Sequence, residues 1–148
     1  MTETETIRYT ADVVALTPDG NVLLVERDWP PFEGDWALPG GHQDEGETSR
    51  MAAARELLEE TGVRVDPDQL RAIGTWDQPG RDPRGRYSTD AYLAVVPAGT
   101  RTVAGDDART ARWWPLNNLP EHLAFDHADI LSAAARARYL TSEQEPTR

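Results

Sequence analysis

The sequence predicts an α/β (α+β) domain in which a mixed β-sheet is sandwiched between helices. Three observations carry this reading: short β-rich runs punctuated by turn residues, a clearly capped helix in the first half of the chain, and an alanine-rich amphipathic helix near its end.

Tyr9 to Leu16 and Val22 to Glu26 are β-rich and are joined by Thr17-Pro18-Asp19-Gly20-Asn21, whose Pro and Gly suit a hairpin turn. Asp28 to Trp36 carries Pro30, Pro31 and Gly34 and reads as a loop, followed by a short Ala37-Leu38 strand and a Pro39-Gly40-Gly41 turn. Thr48 to Thr61 is the clearest helix, with Thr48 or Ser49 as its cap and Gly62 placed to end it in the left-handed conformation. Strands are expected over Val63 to Val65, Leu70 to Asp77 and Tyr87 to Val96, with a Pro/Gly/Arg-rich loop from Gln78 to Arg86. Arg112 to Trp114 reads as another short strand, Leu119 to Leu123 as a turn or short helix, and Asp126 to Leu140 as a helix. Residues 1–8 and 141–148 are expected to be flexible ends.

A chain of 148 residues fits one domain, 1–148, able to bury a core without disulfides or a structural metal. Its net charge of -11, from 26 acidic and 15 basic residues, argues against long nucleic acid as a partner, because phosphate backbones demand a basic surface. A small nucleotide is still compatible, provided metal ions and local arginines offset the repulsion. Cysteine is absent, which excludes thiolate nucleophiles and thiolate metal sites; lysine is absent as well, which excludes Schiff-base chemistry. The start MTETETIRYT has neither a basic nor an apolar signal region, and no apolar run approaches spanning length, so a cytoplasmic protein without membrane contact is expected.

Glu56, Glu59 and Glu60 are spaced i, i+3, i+4, so their side chains share one helical stripe while Ala54, Leu57, Leu58 and Thr61 fall on the opposite face. Three carboxylates on one stripe repel one another unless something positive sits among them, and Mg²⁺ or Mn²⁺, which prefer oxygen ligands, would serve. An ordinary solvated face is the alternative for the stripe taken alone.

The surroundings of the stripe decide between these. Residues 41–63 read GHQDEGETSRMAAARELLEETGV and match G-x5-E-x7-R-E-U-x-E-E-x-G-U, U being a bulky aliphatic, at Gly41, Glu47, Arg55, Glu56, Leu57, Glu59, Glu60, Gly62 and Val63. This is the Nudix box, and with Trp36-Ala37-Leu38-Pro39-Gly40 before it the chain resembles the Nudix hydrolases, more weakly from about Tyr9 to Leu131. The resemblance implies the Nudix fold and a metal-dependent hydrolase of nucleoside diphosphate derivatives. It implies that Glu56, Glu59 and Glu60, helped by the Gly40 carbonyl, hold divalent ions, and that Arg55 and Glu47 orient those carboxylates without touching substrate. Ions on the diphosphate would activate a water for in-line attack. The base is either Glu59 or a carboxylate of the downstream Asp106-Asp107 pair, with Asp107 as the candidate there.

Pro79, sixteen positions beyond Val63, and the segment Arg81-Asp82-Pro83-Arg84-Gly85-Arg86 resemble the ADP-ribose pyrophosphatase branch. Arg81, Arg84 and Arg86 would clamp phosphate or ribose oxygens, or else form a solvated loop; Arg27 would reach a phosphate or pair with a surface carboxylate. Trp36 is the candidate for stacking on adenine, with Trp29, Phe32 and Trp76 as others, though an aromatic of this kind is more often a core residue. Ala124-Phe125-Asp126-His127 resembles a helix start in relatives of that branch, where Asp126 caps the helix and His127 faces either pocket or core. ADP-ribose cleavage to AMP and ribose 5-phosphate is therefore the expected reaction. Two alternatives stand beside it: a house-cleaning nucleoside triphosphate pyrophosphohydrolase, and a non-catalytic module that senses ADP-ribose. The sensing module is disfavoured because no helix-turn-helix fits after Leu140 and the glutamates are all present. Related pyrophosphatases are often homodimers, so a homodimer is a possible assembly.

Overall fold

The computed structural model describes residues 6–105 and 108–144. Strands β1 (Arg8–Leu16) and β2 (Asn21–Arg27) form the expected hairpin. Gly20, at φ 89°, donates to the Thr17 carbonyl at 3.1 Å, and the Thr17 hydroxyl accepts from Asn21 N–H at 3.0 Å, so the turn supplies its own backbone partners. Beyond the turn the two strands diverge and each gains other neighbours. β3 (Trp36–Ala37) and β7 (Ala108–Pro115) pair with β2, while β4 (Gly40–His42) and the parallel strand β6 (Tyr87–Val95) pair with β1; β5 (Arg71–Trp76) closes the far edge on β6. The sheet is mixed, as the sequence predicts.

Alternation along these strands sends neighbouring side chains to opposite faces. Val13, Ala15, Leu23, Tyr92 and Ala94 meet helix α1 (Ser49–Thr61) through Ala52, Ala53 and Leu57. Val14, Leu16, Val22, Leu24, Ala91 and Leu93 meet α2 (His127–Gln144) through Ile130, Leu131 and Ala134. The sheet is thus covered on both faces. Thr48 caps α1, its hydroxyl accepting from Met51 N–H at 3.1 Å, and Gly62 ends it at φ 75° with its N–H on the Leu58 carbonyl.

Several expectations need correction. Gly40 and Gly41 belong to a strand, not a turn, because with no Cβ they can lie against β1; a Cβ on Gly40 would collide with the Ala11 carbonyl and the Asp12 carboxylate. Val63 to Val65 forms no strand and leads into a single 3-10 turn, Pro67–Gln69, capped by Asp66. β7 is longer than Arg112 to Trp114 since it pairs with β2 along nearly its whole length. Leu119 to Leu123 forms no helix, and α2 runs past Leu140 to Gln144. Arg8, expected in a flexible end, is held in β1 by its N–H on the Arg86 carbonyl at 3.0 Å.

Leu58 is the misplaced member of the apolar face of α1. Leu57 is fully buried, whereas Leu58 is half-buried beside Met51, Arg64 and Val65. Leu57→Ala is expected to lower unfolding free energy by about 3 kcal/mol through the cavity it leaves, and Leu58→Ala by about 1 kcal/mol, as read from urea denaturation midpoints.

Candidate active site

α1 turns its polar stripe toward the loop that precedes it, and Arg55 joins the two. Its Nε and Nη2 donate to the two Glu47 oxygens at 2.7 and 2.9 Å, a bidentate pair, while Nη1 donates to Glu56 at 2.8 Å and Glu59 at 3.2 Å. Nη2 also reaches the His42 carbonyl at 2.9 Å. Glu47 is fixed in turn by the Asp44 N–H at 2.9 Å. Arg55 therefore holds the Glu47 carboxyl below the usual carboxylate range, and Glu47 in return raises the Arg55 pKa further.

β4 lies directly against this stripe. An ideal Cβ on Gly41 would fall 2.5 Å from the Glu56 carboxyl carbon, and the Gly40 N–H donates to Glu60 at 3.3 Å. Glu56, Glu60, Gly40 and Gly41 border a cavity of about 380 Å³. Glu59, more than half exposed, is outside its wall and leans on Arg55. Among the described residues no three carboxylate or imidazole groups converge on one point. Glu56, Glu60 and the backbone of β4 nevertheless offer it oxygen donors, and the missing side chains of the two glycines leave the carboxylates open to it, which fits a hard divalent ion.

The facing walls come from β1, β2, the 78–86 loop and the start of α2. Arg27 and Arg84 border the cavity and share the Phe125 ring, whose centre lies 4.9 Å from the Arg27 guanidinium carbon and 5.7 Å from that of Arg84. Burial lowers the Arg27 pKa and the charge of Arg84 adds to this. Arg84 is held by buried Asp82, which accepts from its Nε at 3.0 Å, its Nη2 at 2.8 Å and its backbone N–H at 2.9 Å. Burial alone would raise the Asp82 pKa, but these bonds and the nearby Arg81 outweigh it and the carboxyl stays below its ordinary value. Arg81 borders the cavity too, yet its side chain is 5% exposed and locked to Asp126 by bonds of 2.9 and 2.6 Å. That pair ties the loop to α2. Phe125, between them at φ 53°, holds an unfavourable left-handed backbone.

Two expected substrate residues are elsewhere. Trp36 packs edge-on against Trp114, ring centres 5.1 Å apart, in the α2-side core, and Arg86 does not border the cavity. Trp76 is likewise in that core, and Phe32 packs on Phe125. Trp29 is the tryptophan at the cavity, 60% exposed. Asp107 and Asp106 lie outside the described residues; their neighbour Gly105 donates to the Glu60 carbonyl at 2.9 Å. The sequence reading missed Asp12 and Tyr87 and, within the segments it singled out, gave no role to Asp82 and Phe125. Asp12 had a legible signal, an acid inside the apolar run of β1.

The match to the NUDIX domain model spans residues 6–134. The chain belongs to the NUDIX family. It is 43% identical over 113 residues to the ADP-ribose pyrophosphatase of Methanocaldococcus jannaschii, an alignment covering 76% of this chain and 64% of that protein. A MutT/nudix family protein from Enterococcus faecalis superposes with a TM-score of 0.88 at 31% identity, covering 99% of this chain and 67% of that one. The NUDIX domain of Shewanella oneidensis NrtR, solved in complex with ADP ribose, gives a TM-score of 0.81 at 32% identity, covering 92% and 90%. Members of the family generally use divalent metal ions, and the NUDIX box of this chain is the Arg55-centred segment described above. No helix among the described residues is long and apolar enough to cross a membrane.

The lowered Glu47 pKa gives a signed prediction. A carboxyl depressed in the folded state contributes stability that is fully present above its unfolded pKa, about 4.3, and is lost as pH falls through the folded value. Arg55→Met removes that contribution. The gap in urea midpoint between wild type and variant is therefore expected to be widest at pH 6 and to narrow steadily toward pH 3.

Proposed function

We propose that this NUDIX chain hydrolyses the diphosphate bond of a nucleoside diphosphate derivative, with ADP-ribose as substrate and AMP and ribose 5-phosphate as products. One observation carries the proposal: a single cavity bordered by Glu56 and Glu60 of the box on one side and by Arg27 and Arg84 on the others. The arginines match the negative charge of a diphosphate, and the carboxylates match the ion that must accompany it. The likeness to the M. jannaschii pyrophosphatase and to the ADP-ribose-bound NrtR domain supports this ligand over other diphosphates.

Glu56, Glu60 and the Gly40 carbonyl, with Glu59 reaching in from beside the cavity, are the proposed ligands of Mg²⁺, with Mn²⁺ as a substitute. A divalent ion there would neutralise diphosphate oxygens and acidify a water molecule. Arg55 and Glu47 orient the carboxylates. Arg27 and Arg84 bind the substrate's anionic oxygens, and Asp82 and Phe125 hold Arg84 in place for this. As the water oxygen bonds to phosphorus and the bridging P–O bond breaks, a carboxylate takes the water's proton; Glu59 and Asp107 are the two candidates. On this reading the protein works in the cytoplasm, where nucleotides and Mg²⁺ are available.

Incubation with ADP-ribose and Mg²⁺ followed by product identification tests the proposal. AMP and ribose 5-phosphate are expected. Nucleoside monophosphate and pyrophosphate from a triphosphate, with ADP-ribose untouched, would instead make it a house-cleaning enzyme, and tight binding of ADP-ribose without turnover would make it a sensing module. Glu56→Gln and Glu60→Gln are each expected to lower kcat by about 10² or more while the fold survives. Arg84→Ala is expected to cost about tenfold or more in kcat/KM for ADP-ribose and less for a triphosphate lacking the second ribose, whereas Arg86→Ala leaves both unchanged.

A further inference from the structure

His127 is 4% exposed, yet its ring borders the cavity, and nothing in the proposed hydrolysis uses it. The Leu38 N–H donates to its Nδ1 at 3.0 Å. A ring nitrogen that accepts a hydrogen bond carries no proton, so the imidazole proton sits on Nε2. Burial, the largest influence, keeps the ring neutral by holding its pKa below the ordinary histidine value.

Nε2 lies 3.7 Å from Asp12 Oδ2, beyond hydrogen-bond length. Asp12 also borders the cavity, is 7% exposed, and has its Oδ2 anchored by the Thr89 hydroxyl at 2.6 Å. The wall therefore presents a fixed donor and a fixed acceptor side by side, each stopping short of the other. A hydroxyl group answers both at once, since its oxygen accepts from N–H while its hydrogen goes to the carboxylate. A phosphate oxygen only accepts, and Asp12 would repel it.

We propose that His127 and Asp12 form a sugar-hydroxyl subsite, binding a ribose hydroxyl of the nucleotide. This rests on the function proposed above. Asp12 pairs with Gly40 across the β1–β4 ladder, and Gly40 N–H bonds to Glu60, so the subsite adjoins the place assigned to the diphosphate. Both riboses of ADP-ribose are joined directly to that diphosphate.

The test is equilibrium binding by calorimetry, without added metal, of ADP-ribose and of two analogues, each lacking the 2- and 3-hydroxyls of one ribose. His127→Asn is the informative variant, because its amide oxygen can still accept from Leu38 N–H while the Nε2 donor is gone. Wild type is expected to bind one analogue about tenfold more weakly than ADP-ribose, and the variant to bind ADP-ribose about tenfold more weakly and no longer distinguish that analogue. His127→Gln, which returns a donor near Nε2, should recover part of the discrimination. Equal wild-type affinity for all three ligands would overturn the subsite, as would a variant that keeps the wild-type ratio; the wild-type comparison decides alone should the variant not fold. If wild type cleaves ADP-ribose yet treats the three ligands alike, only the subsite falls. If it neither binds nor cleaves ADP-ribose, the proposed function falls and the subsite with it.

Discussion

A single guanidinium organises the NUDIX-box half of this molecule. Four carboxylates, Glu47, Glu56, Glu59 and Glu60, are crowded around one end of a sheet, and in the absence of a counter-charge their repulsion would splay the loop from the helix. Arg55 satisfies three of them and the His42 carbonyl together, because its planar fork offers donors in several directions at once. A lysine has one point of charge and could not span the same set. The loop before α1 and the helix itself thereby become one rigid piece.

That piece is useful only because the backbone of β4 can lie flush against it. Gly40 meets β1 on one side and Gly41 meets Glu56 on the other, with no room for a side chain at either. The two glycines are needed for close approach and not for turning. They bring the edge of β1, with Asp12, to the same cavity as the box carboxylates.

The opposite wall is built on a different plan, in which arginines serve as framework. Arg81 commits its Nε and Nη2 to the two Asp126 oxygens in a part-buried pair, and the pair fixes the 78–86 loop to the start of α2. Arg84 is also paired, with Asp82, but remains at the cavity and over the Tyr87 and Phe125 rings. Two arginines three residues apart on one loop thus differ in availability, and burial of the guanidinium, 5% exposed in Arg81 against 37% in Arg84, is what separates them.

The strand alternation, the caps of α1 and the helical stripe of Glu56, Glu59 and Glu60 were legible in the sequence because they depend on neighbours within a few residues. The box was legible for the same reason: its members from Gly41 to Val63 lie in one continuous stretch whose spacing encodes the loop and helix. Leu57 and Leu58 mark the limit of that legibility, since helical periodicity assigns both to the buried face and only the width of the contact with the sheet separates them. The cavity walls lay beyond it. Whether Trp29 or Trp36 borders the cavity, whether Arg81 or Arg84 is the more exposed there, and that Asp12 lies beside His127 across 115 positions all depend on which strands and loops the fold brings together. Residue type permits each of those alternatives equally, and burial and distance, properties of the assembled chain, choose among them.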